Sequence, residues 1–215
     1  DTGTTPLPDG TRALTLPLGA KQRVRTITGR NGGGACNTSV GFARLGCNAS
    51  FAGILACDQW GELLRSGMEK EGVNLESVTL VEGENSSFSI ILSSEDGERT
   101  ILYDPGTNAH LHDVTFDRET AAKAGLIYLN HIQPSTHVIQ DDIVNMLRAE
   151  PHPALAWNPG GAQIRAGHTD SMNLLLLQHT RLLLLNKQES LAFTNTTDTQ
   201  DALRTLLGTG AQIVC

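Results

Sequence analysis

Apolar and polar positions follow two different rhythms along this chain. Over residues 13–18 and 23–28, and again over 87–93 and 99–103, they alternate with period two, as on strands with one face in water. The first pair predicts a hairpin across Gly19-Ala20-Lys21. The second predicts one across Glu95-Asp96-Gly97-Glu98, where Asp-Gly is a strong turn signal. Elsewhere the strand-like runs are short and nearly all apolar: 49–55, 78–81, 126–129, 154–157, 182–185 and 212–215. Helical spacing fills the gaps. Residues 59–71 put Trp60, Leu63, Leu64 and Met68 on one face with Gly72 as stop, and 117–124 forms a short helix. Residues 136–148 carry Val138, Ile139, Ile143, Val144 and Leu147, and further helices precede Gln178 and span 187–193 and 198–207. Repeated strand, crossover helix and strand implies a parallel sheet covered on both faces.

Residues 31–46 read Asn-Gly-Gly-Gly-Ala-Cys-Asn-Thr-Ser-Val-Gly-Phe-Ala-Arg-Leu-Gly. Gly32, Gly33 and Gly34 let backbone come close to a ligand. A helix follows, with Val40, Ala43 and Leu45 able to face a core and Gly46 as its stop. Free N–H groups of its first turn, joined by the Asn37 amide, suit a ligand with many hydroxyls. The bland alternative is a tight turn into a helix with no ligand at all. A P-loop is excluded, because Ala35 and Cys36 stand where Lys and Ser or Thr are needed. A dinucleotide fingerprint lacks its third glycine at Asn37, and Asp58 falls only loosely where its acid belongs.

A second candidate is Asn186-Lys187-Gln188-Glu189, directly after the run 182–185. Open parallel sheets bind ligands outside the carboxyl ends of their strands, where this segment falls. By itself the spacing favours Asn186 as a helix cap. Asn108, Asn130 and Asn158 sit at other predicted exits, where asparagine is frequent in turns. His110 and His112 flank Leu111 without a third ligand at a recognisable spacing, so they do not read as a metal pair.

Taken together, the segment 32–46 resembles the first signature of the ribokinase-like (PfkB) carbohydrate kinase family. That signature is Gly-Gly, a short spacer, Asn, a small residue and a helix ending in Gly. Gly32, Gly33, Asn37, Ser39 and Gly46 fit it. Two departures stand out: Ala56 replaces a further glycine, and Cys57 precedes Asp58 where an acidic pair is usual. The resemblance covers nearly the whole chain. It implies a ribokinase-like α/β three-layer sandwich, a mostly parallel central sheet with a small β-sheet lid. It also implies one domain over 1–215, with lid segments at about 13–28 and 87–103. The activity implied is ATP-dependent phosphorylation of a sugar hydroxyl with Mg²⁺. Gly32, Gly33 and Asn37 would contact the sugar, Asn186 and Glu189 the nucleotide phosphates, and Glu189 the magnesium. A homodimer through the lid is a further expectation. The alternatives are an adenosine-type nucleoside kinase, for which 4% aromatic residues offer few stacking partners, or a non-catalytic sugar-binding relative.

Composition narrows the field. A formal charge of −7 argues against a nucleic-acid partner. No apolar run approaches the roughly 20 residues needed to cross a bilayer, so no membrane association is expected. The four cysteines form no C-x-x-C pair and no secretory signal is visible, which suits reduced thiols in a cytoplasmic protein. Both ends read as cut, since the chain opens on Asp1 and stops inside the apolar run ending at Cys215. The family's Gly-x-Gly-Asp segment, with its general-base Asp, does not occur between Asp1 and Cys215. No catalytic residue is therefore assigned within the chain; the base is expected beyond Cys215, and residues 1–215 alone should be inactive.

Overall fold

The computed structural model describes residues 3–94, 97–113, 117–131, 137–149 and 151–215, with backbone only at 3, 110–113 and 137–140. Its contacts divide the chain into two units, Asp1–Arg30 with Phe88–Asp104, and Asn31–Ser87 with Pro105–Cys215.

The smaller unit contains two antiparallel hairpins. In the first, β1 (Gly3–Pro6) pairs with β2 (Arg12–Thr15) in the register Gly3 to Thr15. This corrects the hairpin expected across Gly19-Ala20-Lys21. The Asp9-Gly10 turn wins: Thr11 N and Oγ1 both donate to Asp9 Oδ1, at 2.9 and 2.6 Å, and Gly10 takes φ +84°. Pro17, inside the expected strand, has no N–H for a ladder, and residues 16–30 form no strand. The second hairpin forms as expected, β5 (Phe88–Ser93) against β6 (Arg99–Asp104). Its turn residues Glu95 and Asp96 lie outside the described residues, while Gly97 has φ +87°. Ile90 opposes Leu102 and Ile91 opposes Ile101, and all four are about half exposed.

The larger unit is α/β. Helix α1 (Gly34–Arg44) leads to β3 (Gly53–Ala56), helix α2 (Gln59–Lys70) and β4 (Val78–Val81), and β3 and β4 pair in parallel. Cys36, Leu55, Met68 and Val73 form their core, with Val40, Ala43 and Leu64 against it. Two expectations fail here. Leu45 is 81% exposed, because the helix ends before it and Gly46, at φ +84°, turns the chain away. On α2 the buried line runs through Gly61, Leu64 and Met68, leaving Trp60 and Leu63 on the flank. Gly61 explains the rotation: a Cβ there would collide with the Ala56 carbonyl and lie 2.8 Å from Ser86 Oγ, so the helix abuts the end of β3.

Asp58 fastens this corner. Its Oδ1 accepts from Gly61 N and Ser86 Oγ, each at 2.7 Å, and its Oδ2 accepts from Ser86 N at 2.9 Å. The chain comes back from the β5–β6 hairpin through a 3-10 turn, Gly106–Asp113, whose Thr107 N donates to Asn85 O at 2.9 Å. The acid left over from the family's usual pair is thus a helix cap and a loop anchor.

A second parallel sheet has the order β10-β9-β8-β7, from β7 (Leu126–Asn130), β8 (Ala154–Asn158), β9 (Thr180–Leu183) and β10 (Ile213–Val214). The helices between these strands are α4 (His137–Arg148), α5 (Gly161–Ala166), α6 (Ser171–His179), α7 (Lys187–Thr194) and α8 (Thr199–Gly208), while the short α3 (Arg118–Ala122) precedes β7. Leu147, Leu155, Trp157, Leu177, Leu183, Phe193 and Leu206 are fully buried, and Trp157 meets Phe193 edge-to-face at 6.0 Å. Strand β9 begins two residues earlier than its apolar run, yet Leu184 N and Leu185 N still donate to Trp157 O and Cys215 O, each at 2.9 Å. The result is an α/β arrangement of parallel strands and crossover helices with small antiparallel sheets.

Candidate active site

The glycine run acts through three separate causes. Gly33 is the N-cap of α1 at φ +95°, a left-handed conformation that side chains disfavour. At Gly34 the reason is contact: a Cβ would lie 2.5 Å from Asn130 Oδ1 and 2.7 Å from its Nδ2. At Gly32 neither applies, since a Cβ would meet nothing within 4 Å. The N-cap residue of α1 is Gly33, so no capping side chain is supplied there to the first-turn N–H groups.

Asn37 is exposed one turn into α1 and lines a groove of about 280 Å³ between α1 and α2. Gly41 and Gly67 line it, and the Asn31 side chain packs on Gly67, where a Cβ would collide with Asn31 Nδ2. The helices are tied across it by a bidentate ion pair, Arg44 Nε to Glu71 Oε2 at 2.8 Å and the second nitrogen to Oε1 at 2.5 Å. That bond holds the Glu71 carboxyl below its ordinary range and raises the Arg44 guanidinium. Cys36, at the groove floor, has its thiol pushed up by burial and is no ready nucleophile.

Asn186 and Glu189 form a reciprocal capping box at the start of α7. Glu189 N donates to Asn186 Oδ1 and Asn186 N donates to Glu189 Oε2, both at 2.9 Å. The cap reading of this motif is therefore realised. It uses one oxygen of each side chain, so the other oxygen of Glu189, Oε1, stands outside the box. Among the described residues no cluster of three or more His, Cys, Asp or Glu could hold a metal, and the His110 and His112 side chains lie outside them. No described helix is long and apolar enough to cross a membrane.

The structure brings Gly34 and the Asn186 segment together through residues whose pairing the sequence did not reveal. Asn130 and Asn158, the last residues of β7 and β8, are in register. Asn130 Nδ2 donates to Asn158 Oδ1 at 3.0 Å, and Asn158 Nδ2 donates to the Leu184 carbonyl at 2.8 Å. His131 follows in a left-handed conformation, φ +43°, against Gly160, whose Cβ would lie 3.1 Å from His131 Cα. The available signal was an asparagine at each of two successive strand exits. Asn108 lies apart in the 3-10 turn, its N donating to Pro105 O.

The family model for pfkB family carbohydrate kinases matches residues 12–215. An uncharacterized sugar kinase of Archaeoglobus fulgidus is 30% identical over 151 residues, covering 70% of this chain and 58% of that protein. The ATP-dependent ribose-1-phosphate kinase of Halopiger xanaduensis is 29% identical over 53% of this chain and 38% of its own length. Among solved structures, ribokinase from Thermotoga maritima superposes with a TM-score of 0.71 at 22% identity, over 91% of this chain and 63% of that one. Adenosine kinase from Sinorhizobium meliloti gives 0.70 at 25%, over 85% and 57%. The chain thus spans 58% of the first of these relatives and 38% of the second.

Proposed function

Because the chain belongs to the PfkB family of carbohydrate kinases, we propose that the complete protein transfers the γ-phosphoryl group of ATP to a hydroxyl of a sugar. The observation that carries this reading is Asn37, exposed beside a helix start that has no N-cap side chain and whose Gly32 has no steric reason of its own. Backbone N–H groups and one amide together can donate to and accept from several hydroxyls at once. Gly32, Gly33 and Asn37 bind the sugar in this account. Asn186 and Glu189, at the carboxyl end of β9, serve the nucleotide phosphates. Their oxygen donors suit Mg²⁺, and Glu189 would hold it through its Oε1 and water. When bound, the ion neutralises charge on the phosphates. The smaller unit takes the part of a lid, and the catalytic base belongs to residues beyond Cys215, so 1–215 alone is inactive.

Adenosine kinase from S. meliloti supports the second reading, a nucleoside acceptor. An acceptor screen separates them. The complete protein is assayed with ATP, Mg²⁺ and a panel of pentoses, hexoses and adenosine, read as ADP formation. Sugar-dependent turnover supports the proposal. Turnover with adenosine alone favours the second reading, and none with any acceptor favours a sugar-binding relative without catalysis.

A further inference from the structure

We propose that Asn130 and Asn158 are positioning residues that lock the acceptor loop before α1 and the Asn186–Glu189 segment into one fixed arrangement. The inference rests on the kinase reading for its consequence, though not for its geometry.

The amides run in one direction. Asn130 Nδ2 donates to Asn158 Oδ1 at 3.0 Å, with a longer contact of 3.4 Å to the Tyr128 hydroxyl, and Asn158 Nδ2 passes the chain on to the Leu184 carbonyl at 2.8 Å. Asn158, the middle link, needs a donor and an acceptor on one side chain, while Asn130 needs the donor. Asp would lack the donor, Leu would lack both, and Asn supplies the pair. An asparagine serving only its own turn bonds its local backbone. These two instead bond across strands, at the rung where β7 and β8 end and beside the Leu184 N to Trp157 O bond at 2.9 Å. Both are half-buried, so their bonds compete less with water than surface ones.

The two ends of the relay are the two candidate ligand segments. At one end the Asn130 carboxamide fills the space beside Gly34, within 2.5 to 2.8 Å of where a Cβ would stand. This makes Asn130 the surface on which the first residue of α1 rests. At the other end Leu184 stands two residues before Asn186, so fixing its carbonyl sets the direction in which the chain leaves β9 for the capping box. The left-handed His131, directly after Asn130, needs its neighbour held firmly to persist. Phosphoryl transfer requires acceptor and phosphate in line, and a displacement of about 1 Å can cost on the order of a hundredfold. A link between the two segments therefore affects both substrates together.

The test uses the complete protein with Asn130→Ala, Asn158→Leu and their double variant. Asn158→Ser is read in place of Asn158→Leu if the latter gives no cooperative melt. Hydrogen exchange is expected to quicken about tenfold or more at both 31–37 and 184–190 in Asn158→Leu, with 199–207 unchanged. In steady state, KM or kcat/KM for ATP and for the acceptor should both worsen about tenfold or more. The double variant should be little worse than Asn158→Leu alone, since one broken link already severs the relay. Exchange that changes only at 184–190, additive losses, or a lowered Tm with unaltered kinetics would each overturn the proposal. Absence of turnover in the unmutated protein would sink the kinase reading alone, and the exchange pattern would then decide whether the link exists.

Discussion

Replacing Asp58 by Ala removes three hydrogen bonds at once. One is the cap on Gly61 N, for which a loss of about 1 kcal/mol is usual. The other two come from Ser86 N and Oγ, and Ser86 is 2% exposed, so both groups would be left buried without the carboxylate. Bonds to a charged group contribute roughly 1.5 to 3 kcal/mol each in protected sites, and Asp58 is only half-buried, so the low end applies. The total loss should be about 4 kcal/mol, which for a chain of this size lowers Tm by roughly 8 to 16 °C. Asp58→Asn keeps an acceptor for the cap but sets an NH₂ against a donor of Ser86, so about half the loss should remain. The pH dependence follows from the carboxyl's lowered pKa. Burial pushes it up, but the bonds from Ser86 and Gly61 outweigh that and hold it below its ordinary 3.8. The contribution is therefore fully present above that ordinary value and lost as pH falls through the lower folded one. Thermal melts of the two variants and the unmutated chain should show a constant gap from about pH 7 to about pH 5, closing below about pH 4. A gap under about 1 kcal/mol at neutral pH, or one that widens on acidification, would refute the reasoning.

Four further outcomes are expected. Gly33→Ala should cost about 1 to 2 kcal/mol by conformation alone, since its Cβ meets nothing within 4 Å; urea unfolding measures it. Asn37→Ala should lower kcat/KM for the acceptor at least about tenfold in the complete protein while changing stability by less than about 1 kcal/mol. Glu189→Gln keeps an acceptor for Asn186 N but removes the charge, so stability should hold within about 0.5 kcal/mol while Mg²⁺-dependent turnover falls; equal turnover would make the box purely structural. Light scattering should detect a dimer that Ile91→Glu with Ile101→Glu disrupts, because those opposed residues are half exposed; a monomer at all concentrations would contradict it.

What could be read in advance depended on how local its cause is. Helix α1, its Gly46 stop and the second hairpin follow from residues a few positions apart, and the sequence predicts all three. The first hairpin forms at the Asp-Gly turn of a Gly/Pro/Thr-rich lead, a local cause that outweighs the period-two alternation over 13–28. Leu45, Trp60 and Leu63 looked like core because periodicity gives a face without its exact rotation. Gly61 sets that rotation through a contact with β3 and Ser86, distant in sequence. At the candidate site, the glycine run was legible as backbone able to approach a ligand, but not that Gly33, of the three, takes the left-handed conformation. The reason for Gly34 was not legible either, since its cause is Asn130, 96 positions away. Pairing of Asn130 with Asn158 likewise needs the sheet register, which spacing along the chain does not contain.

Phosphoryl transfer to a sugar hydroxyl at the Asn37 loop leaves a product that can be observed directly. Its most direct measurement is phosphorus NMR of the complete protein with ATP, Mg²⁺ and the acceptor that gives the fastest ADP formation, beside its Asn37→Ala variant and residues 1–215 alone. The account predicts a sugar phosphate ester formed in step with ADP, slowed about tenfold or more by Asn37→Ala and absent with 1–215. A sugar phosphate made by 1–215 alone, or at an unaltered rate by Asn37→Ala, would contradict it.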